Sequence, residues 1–261
     1  MEYLAPALAA ARAVIAEVNA RVPWTHTEPL LHRKDFALVV ESSRNPVVLE
    51  YRTGALERAV AAHAAAFIPD RTVLECGIGN LPNAVLGALG ERHGLRFHSG
   101  LVPDGIVELA RRGALSGEVH GGALMGTQAL FDWAAENSAL RLCSSDYTHG
   151  AATLSRLERF VAINSAVEVD LTGQVNGELA RGSYVGAVGG ALDFVRAANQ
   201  SPGGVSITAL PAARVVEKLS GPVSVPRSEA GVVVTERGAA DLRGCSLAER
   251  ERRLRATSGT P

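Results

Sequence analysis

The stretch FHSGLVPDG, Phe97 to Gly105, sets a His-Ser pair, a glycine and a Pro-Asp-Gly turn where an apolar strand is due to end. No carboxylate or thiol lies between Arg92 and Asp104, so the segment itself offers only an imidazole and a hydroxyl. His98 and Ser99 do not form a base and nucleophile pair, because neighbours in a strand point to opposite faces. Asp104 is expected to cap the helix IVELARR. Two glycine turns add backbone donors. In GIGNLP, Gly77 and Gly79 free the chain to take positive φ, and the helix that starts at Asn80 and Leu81 after Ile78 offers N–H groups to an anion or a thioester oxygen. The loop is neither a Walker loop nor GxGxxG, and a turn that only joins strand to helix reads the same way. In AVGGALDF, Gly189 and Gly190 either present an oxyanion hole or let a helix pack closely on a sheet.

Other chemistries lack their signatures. The seven histidines show no HxH or HExxH spacing and the three cysteines no CxxC, so no metal site is expected. No GxSxG elbow is present. The odd cysteine count argues against a disulfide framework and for a reducing cytoplasm.

The elements that must position these residues alternate. Apolar spacing at Leu8, Ala11, Ile15, Val18 and Val22 predicts an amphipathic helix from Ala7 to Val22, ended by Pro23. A short strand, Phe36 to Ser42, follows, then a boundary near Arg52 to Glu57 and a helix LERAVAAHAAAFI. Strand Thr72 to Cys76, helix with Pro82 in its first turn, strand LRFHSG, helix DGIVELARRG, the strand-like run Phe160 to Leu171, and GVSITAL and AGVVVTERGAADLRG complete the pattern. The strands are nearly continuous in Val, Ile and Ala, which predicts an α/β fold with an open, mostly parallel sheet covered by helices on both faces. Ligands of such sheets sit at the carboxyl ends of strands, where GIGNLP, FHSGLVPDG and AVGGALDF compete for the site.

With 261 residues, 47% of them hydrophobic, the chain can bury a sizeable core. Its 26 basic and 27 acidic residues form no polybasic surface, so neither nucleic acid nor a membrane is an expected partner. The N-terminal apolar run is interrupted by Arg12, Glu17 and Arg21 and reads as neither signal peptide nor span.

The runs ARAVIAEVNARVP, AAFIPDRTVLECGIGNLPNAV, FHSGLVPDGIVEL, FVAINSAVEVDLTGQVNGE, VGGALDF, SPGGVSITALP and VVVTERGAADLRGCSLAER together resemble the acetyl-CoA hydrolase/transferase family, which includes acetate, succinate and 4-hydroxybutyrate CoA-transferases. The likeness extends from about Leu8 to Arg250 and implies a CoA-transferase-type sheet. It also implies that residues 1–54 are a remnant of the family's first domain and 55–261 its C-terminal domain. A coenzyme A thioester is then the ligand, contacted by Gly77, Ile78, Gly79, Asn80 and Leu81, with Gly189 and Gly190 polarising its carbonyl. In the family a glutamate attacks the thioester, and a mixed anhydride and a glutamyl-CoA follow, which splits one hard exchange into easier steps.

Several positions depart from that pattern. The family's His-Thr-Glu reads here His98-Ser99-Gly100, so the nucleophile's place holds Gly100 and the glutamyl route has no carboxylate. Where the family has Asn-Asp-Pro after Tyr-Thr, this chain has His149-Gly150-Ala151; Ala187, Ala191 and Pro202 replace a glycine, a glutamine and a lysine. Two functions follow. One is an acyl-CoA hydrolase or CoA-transferase family protein that acts on or binds the CoA thioester of a small carboxylic acid, with His149 as general base for water. The other is a non-catalytic CoA-ester-binding or interaction module. A homo-oligomer or a partner chain is expected to cover helices left without a first domain.

Overall fold

The computed structural model describes residues 2–27 and 30–258. The chain opens with α1 (Leu4–Ala10), β1 (Ile15–Asn19) and β2 (Leu38–Ser42). The helix expected over Ala7 to Val22 is thus replaced by a short helix and a strand. Ala11 is already extended, and from Ile15 onward the chain pairs in parallel with Leu38–Ser42, a pairing that suits the β-branched Ile15 and Val18.

The next elements are α2 (Ala55–Ala65), β3 (Val73–Cys76), α3 (Asn80–Gly87), β4 (Leu95–Val102), α4 (Gly105–Arg111), β5 (Leu115–Leu124), α5 (Gln128–Ala134) and β6 (Leu140–Leu142). Two one-turn helices follow, α6 (Ser145–Thr148) and α7 (Ala151–Leu154), before β7 (Phe160–Ser165). The run read as one strand from Phe160 to Leu171 divides: β8 (Glu168–Asp170) leaves the main sheet and joins β9 (Val175–Asn176). A hairpin of β10 (Leu179–Ala180) and β11 (Ser183–Tyr184), then α8 (Ala191–Gln200), β12 (Val205–Ala209), β13 (Val215–Val216), β14 (Val232–Thr235), β15 (Gly238–Asp241) and α9 (Leu247–Ser258) complete the fold.

Eight strands form the main sheet in the order β15-β14-β12-β7-β3-β4-β5-β6, parallel throughout except for the β14–β15 pair at one edge. One face packs Leu74, Phe97, Val161, Ile163 and Ile207 against Val60, Ala64, Val85, Leu86 and Ile106 of α2, α3 and α4. The other packs Val73, Phe160 and Ala162 against Leu154, Phe194 and Ala198 of α7 and α8. Helices therefore lie on both faces, as the near-continuous apolar strands require. Among the described residues no helix is long and apolar enough to cross a membrane.

Two local expectations change. FHSGLVPDG is not a loop: β4 runs to Val102, and Gly100 lies buried inside the strand. Asp104 stands at the N-cap of α4 but makes no side-chain cap; its carboxylate accepts from the Thr127 N–H at 3.0 and 3.1 Å and from the Thr127 hydroxyl at 2.9 Å, tying α4 to the start of α5.

Candidate functional site

Residues i and i+2 of a strand share a face, so His98 and Gly100 of β4 both point toward the side covered by α6, α7 and α8. Above them the chain turns from α6 into His149. The His149 ring lies against the Phe194 ring of α8, centroids 4.5 Å apart. A Cβ on Gly100 would stand 3.1 Å from His149 Cε1 and 3.3 Å from Nε2, and a Cβ on Gly190 would overlap the same ring. Both glycines are therefore what give this imidazole room. The fold brings together Gly100, His149 and Gly190, which lie far apart in the chain.

One hydrogen-bond chain runs from the His149 ring through Thr148 to Ser144. Thr148 Oγ1 stands 3.3 Å from the Ser144 carbonyl and 2.9 Å from His149 Nδ1; with the hydroxyl proton directed at the Ser144 carbonyl, Nδ1 of His149 carries the hydrogen and donates to Oγ1. Nε2, on the side of the two glycines, keeps its lone pair. Burial lowers the His149 pKa from the ordinary value, against the pull of the Asp193 and Glu2 carboxylates, so the ring is neutral at pH 7. A neutral imidazole with a free nitrogen is a base. His149 also lines a cavity of about 440 Å³ between α7 and α8, together with Leu154, Asp193, Arg196 and Ala197.

Below this ring, His98 is 3% exposed and donates from Nε2 to the Thr148 carbonyl at 2.9 Å. Burial depresses its pKa to about 4, so it stays uncharged. Tyr147 and His120 complete a ring cluster, with centroids 5.6 Å (Tyr147) and 6.1 Å (His120) from that of His98.

Gly77 to Leu81 close the neighbouring strand, β3. Gly79 takes φ of 125°, which only glycine adopts easily, and Gly77 abuts the Asn164 amide so closely that a Cβ would overlap its Oδ1. The Gly77 N–H already donates to the Ile163 carbonyl at 2.8 Å, which leaves the start of α3, at Asn80 and Leu81, as the donor end of the loop. Ile78 is exposed, and its carbonyl accepts from the Ser165 hydroxyl at 3.0 Å. The contacts of this loop thus run to β7, whereas those of Gly100 run to α6 and α8. Gly189, at φ of 55°, and Gly190 precede α8, whose ten residues leave first-turn N–H groups without intrahelical acceptors.

Sequence reasoning overlooked three groups at this site: Thr148, Phe194 and Glu75. Glu75 is 2% exposed on β3, and its Oε2 accepts from the Ile163 N–H at 3.1 Å and the Asn164 amide at 2.9 Å. Burial pushes its pKa up to about 8, so the carboxyl is protonated at neutral pH. A charged residue inside the apolar run VLEC was the available signal. Cys76 beside it is fully enclosed, and burial pushes its thiol well up, which removes it as a nucleophile.

Comparison with known proteins gives this geometry a context. A family model described as the acetyl-CoA hydrolase/transferase C-terminal domain matches residues 126–258, a range that holds His149, Gly189 and Gly190. The 4-hydroxybutyrate coenzyme A transferase of Clostridium kluyveri is 35% identical over 271 residues, covering 97% of this chain and 63% of the relative. The crystal structure of RipA from Yersinia pestis superposes with a TM-score of 0.93 at 30% identity, covering 99% of this chain and 62% of that one. For the 4-hydroxybutyrate CoA-transferase of Porphyromonas gingivalis the TM-score is 0.86 at 30% identity, with 98% and 65% covered. The chain spans somewhat less than two thirds of the length of each. By sequence and by fold, the chain belongs to the acetyl-CoA hydrolase/transferase family.

Proposed function

We propose that the chain binds the CoA thioester of a small carboxylic acid and hydrolyses it with His149 as general base, in place of a route through a glutamyl intermediate. The observation that carries this reading is the imidazole of His149, packed against the point where a side chain at position 100 would begin, with Nε2 turned toward Gly100 and Gly190. In the resemblance that place belongs to the attacking glutamate, and here it holds Gly100. His149 Nε2 takes a proton from water, and the oxygen adds to the thioester carbonyl. The backbone donors at Gly189, Gly190 and the start of α8 polarise that carbonyl. The C–S bond then breaks, and the imidazolium returns its proton to the departing thiolate, giving the free acid and CoA. Gly77 to Leu81 hold the CoA portion at the helix N-terminus. Self-association or a partner chain belongs to the same reading.

The test is a pair of measurements on His149→Gln. Acetyl-CoA should raise the melting temperature of both proteins, while turnover in the variant falls by ~100-fold or more, the usual contribution of a positioned base. A thermal shift with no turnover in either protein favours the non-catalytic binding module, whereas turnover that His149→Gln leaves intact removes His149 as the base. No shift with CoA or acetyl-CoA removes both readings.

A further inference from the structure

We infer that His98 is a positioning residue, which grips Thr148 from below and through it fixes the ring and tautomer of His149. This rests on the reading of His149 as the base. The α6 turn that carries Thr148 is four residues long, too short to hold its own geometry, because a single helical turn costs more in backbone order than its bonds return. Thr148 is nonetheless fully buried and committed on both sides. Its carbonyl accepts from His98 Nε2 at 2.9 Å, and its hydroxyl bonds the Ser144 carbonyl and His149 Nδ1.

The anchor stands on β4, which is paired on both sides by β3 and β5. One strand therefore does two things from adjacent positions on one face: Gly100 vacates the space for the imidazole, and His98 holds the residue that orients it. The Tyr147 ring against His98, at 5.6 Å, keeps the same turn seated. His98 is 3% exposed, and its proton on Nε2 is spent on the Thr148 carbonyl. Its role is carried through Thr148.

The experiment compares His98→Phe, which keeps an aromatic ring and removes the donor, His98→Asn, whose amide is too short to reach the carbonyl, and His98→Gln, whose amide can donate. In ¹⁵N spectra of the imidazoles, wild-type His149 is expected in its Nδ1-protonated form. That preference should be lost in the Phe and Asn variants and kept in Gln. Turnover of acetyl-CoA should fall about ten- to a hundredfold in kcat for Phe and Asn, the cost typical of losing a group that orients a reactive side chain. KM should stay within about twofold, because ground-state binding is untouched. A folded Phe or Asn variant with wild-type kcat and His149 tautomer overturns the inference, as does a folded Gln variant that loses the Nδ1-protonated form. If His149→Gln leaves turnover unchanged, the base reading fails by itself, while the imidazole spectra still decide whether His98 sets the ring.

Discussion

Gly100 and His149 crowd one another's alternatives. A Cβ at position 100 would press to 3.1 Å from the imidazole, closer than packed side chains ordinarily come, and the rest of a glutamate would have to pass the same ring. Gly100→Glu alone should therefore not restore the family's chemistry. It should lower the melting temperature and cut the turnover proposed to depend on His149 by ~100-fold, the usual cost of losing a positioned base. Pairing it with His149→Asn, the residue the resemblance places there, should recover stability and let a carboxylate-dependent exchange appear. A double-mutant cycle on melting and turnover measures this, with a coupling of ~1 kcal/mol or more expected for side chains in contact. Strict additivity of the two changes would show that the ring and position 100 do not compete. Motif comparison had singled out Gly100, His149 and Gly190 one at a time, but their meeting depends on the β4 register and the α8 approach, which no local spacing encodes. Thr148 was illegible for the same reason: a threonine becomes an orienting group only once its carbonyl and hydroxyl are known to face two histidines.

At the scale of elements, β3 carries a protonated carboxyl in its middle, and that has a pH signature. The Glu75 carboxyl has a folded pKa of about 8 against an ordinary 4.5. Between those values the unfolded chain has released the proton and the folded chain still holds it, so stability falls as pH rises from about 4.5 to about 8. Glu75→Gln keeps an acceptor for the Ile163 N–H and the Asn164 amide and removes the titration. Urea denaturation at pH 5 and pH 8 should show the variant gaining on wild type by a few kcal/mol at the higher pH, since each pKa unit is worth ~1.4 kcal/mol. Parallel stability profiles for the two proteins would contradict a buried, protonated Glu75. The alternation from α2 to α4 was readable because its strands are apolar runs bounded by glycine and proline turns, whereas β5 and β6 were not, since LSGEVHGGAL is broken by polar residues and glycines and LRL is only three residues long. Nor was the first element. Its apolar residues recur at helical spacing, but Ile15 and Val18 are β-branched, and pairing with Leu38–Ser42 outweighs the period. The run from Phe160 to Leu171 misled in the opposite way, since continuous hydrophobicity does not mark the break at Ala166 and Val167 where the chain changes sheets.

Across the whole molecule, order is unevenly distributed. The centre of the main sheet, β3, β4 and β7, is hydrogen-bonded on both edges and covered on both faces, with Leu74, Phe97, Val161 and Ile163 fully enclosed. Among the described residues the parallel pair β1–β2 has no third strand, and Ile15 and Val18 of one strand and Leu38 and Val40 of the other are between 47% and 67% exposed. Parallel strands are ordinarily buried on both faces, and a lone pair of strands is marginal in water. What holds this pair at its far end is largely polar: Glu17 accepts from the Arg44 guanidinium and the Ser42 hydroxyl, with little weight because the groups are exposed. Amides of β1 and β2 should accordingly exchange with deuterium at least ~100-fold faster than those of β3 and β7, because local opening there breaks few buried contacts, whereas the sheet centre opens only with the global transition. Acetyl-CoA should slow exchange at Gly77 to Leu81 and around His149 and leave β1–β2 as fast as before, since the loops proposed to bind it lie on the main sheet. Equal protection of the two sheets in the free protein would mean that the exposed face of β1–β2 is covered in solution, by a second copy of the chain or by another protein.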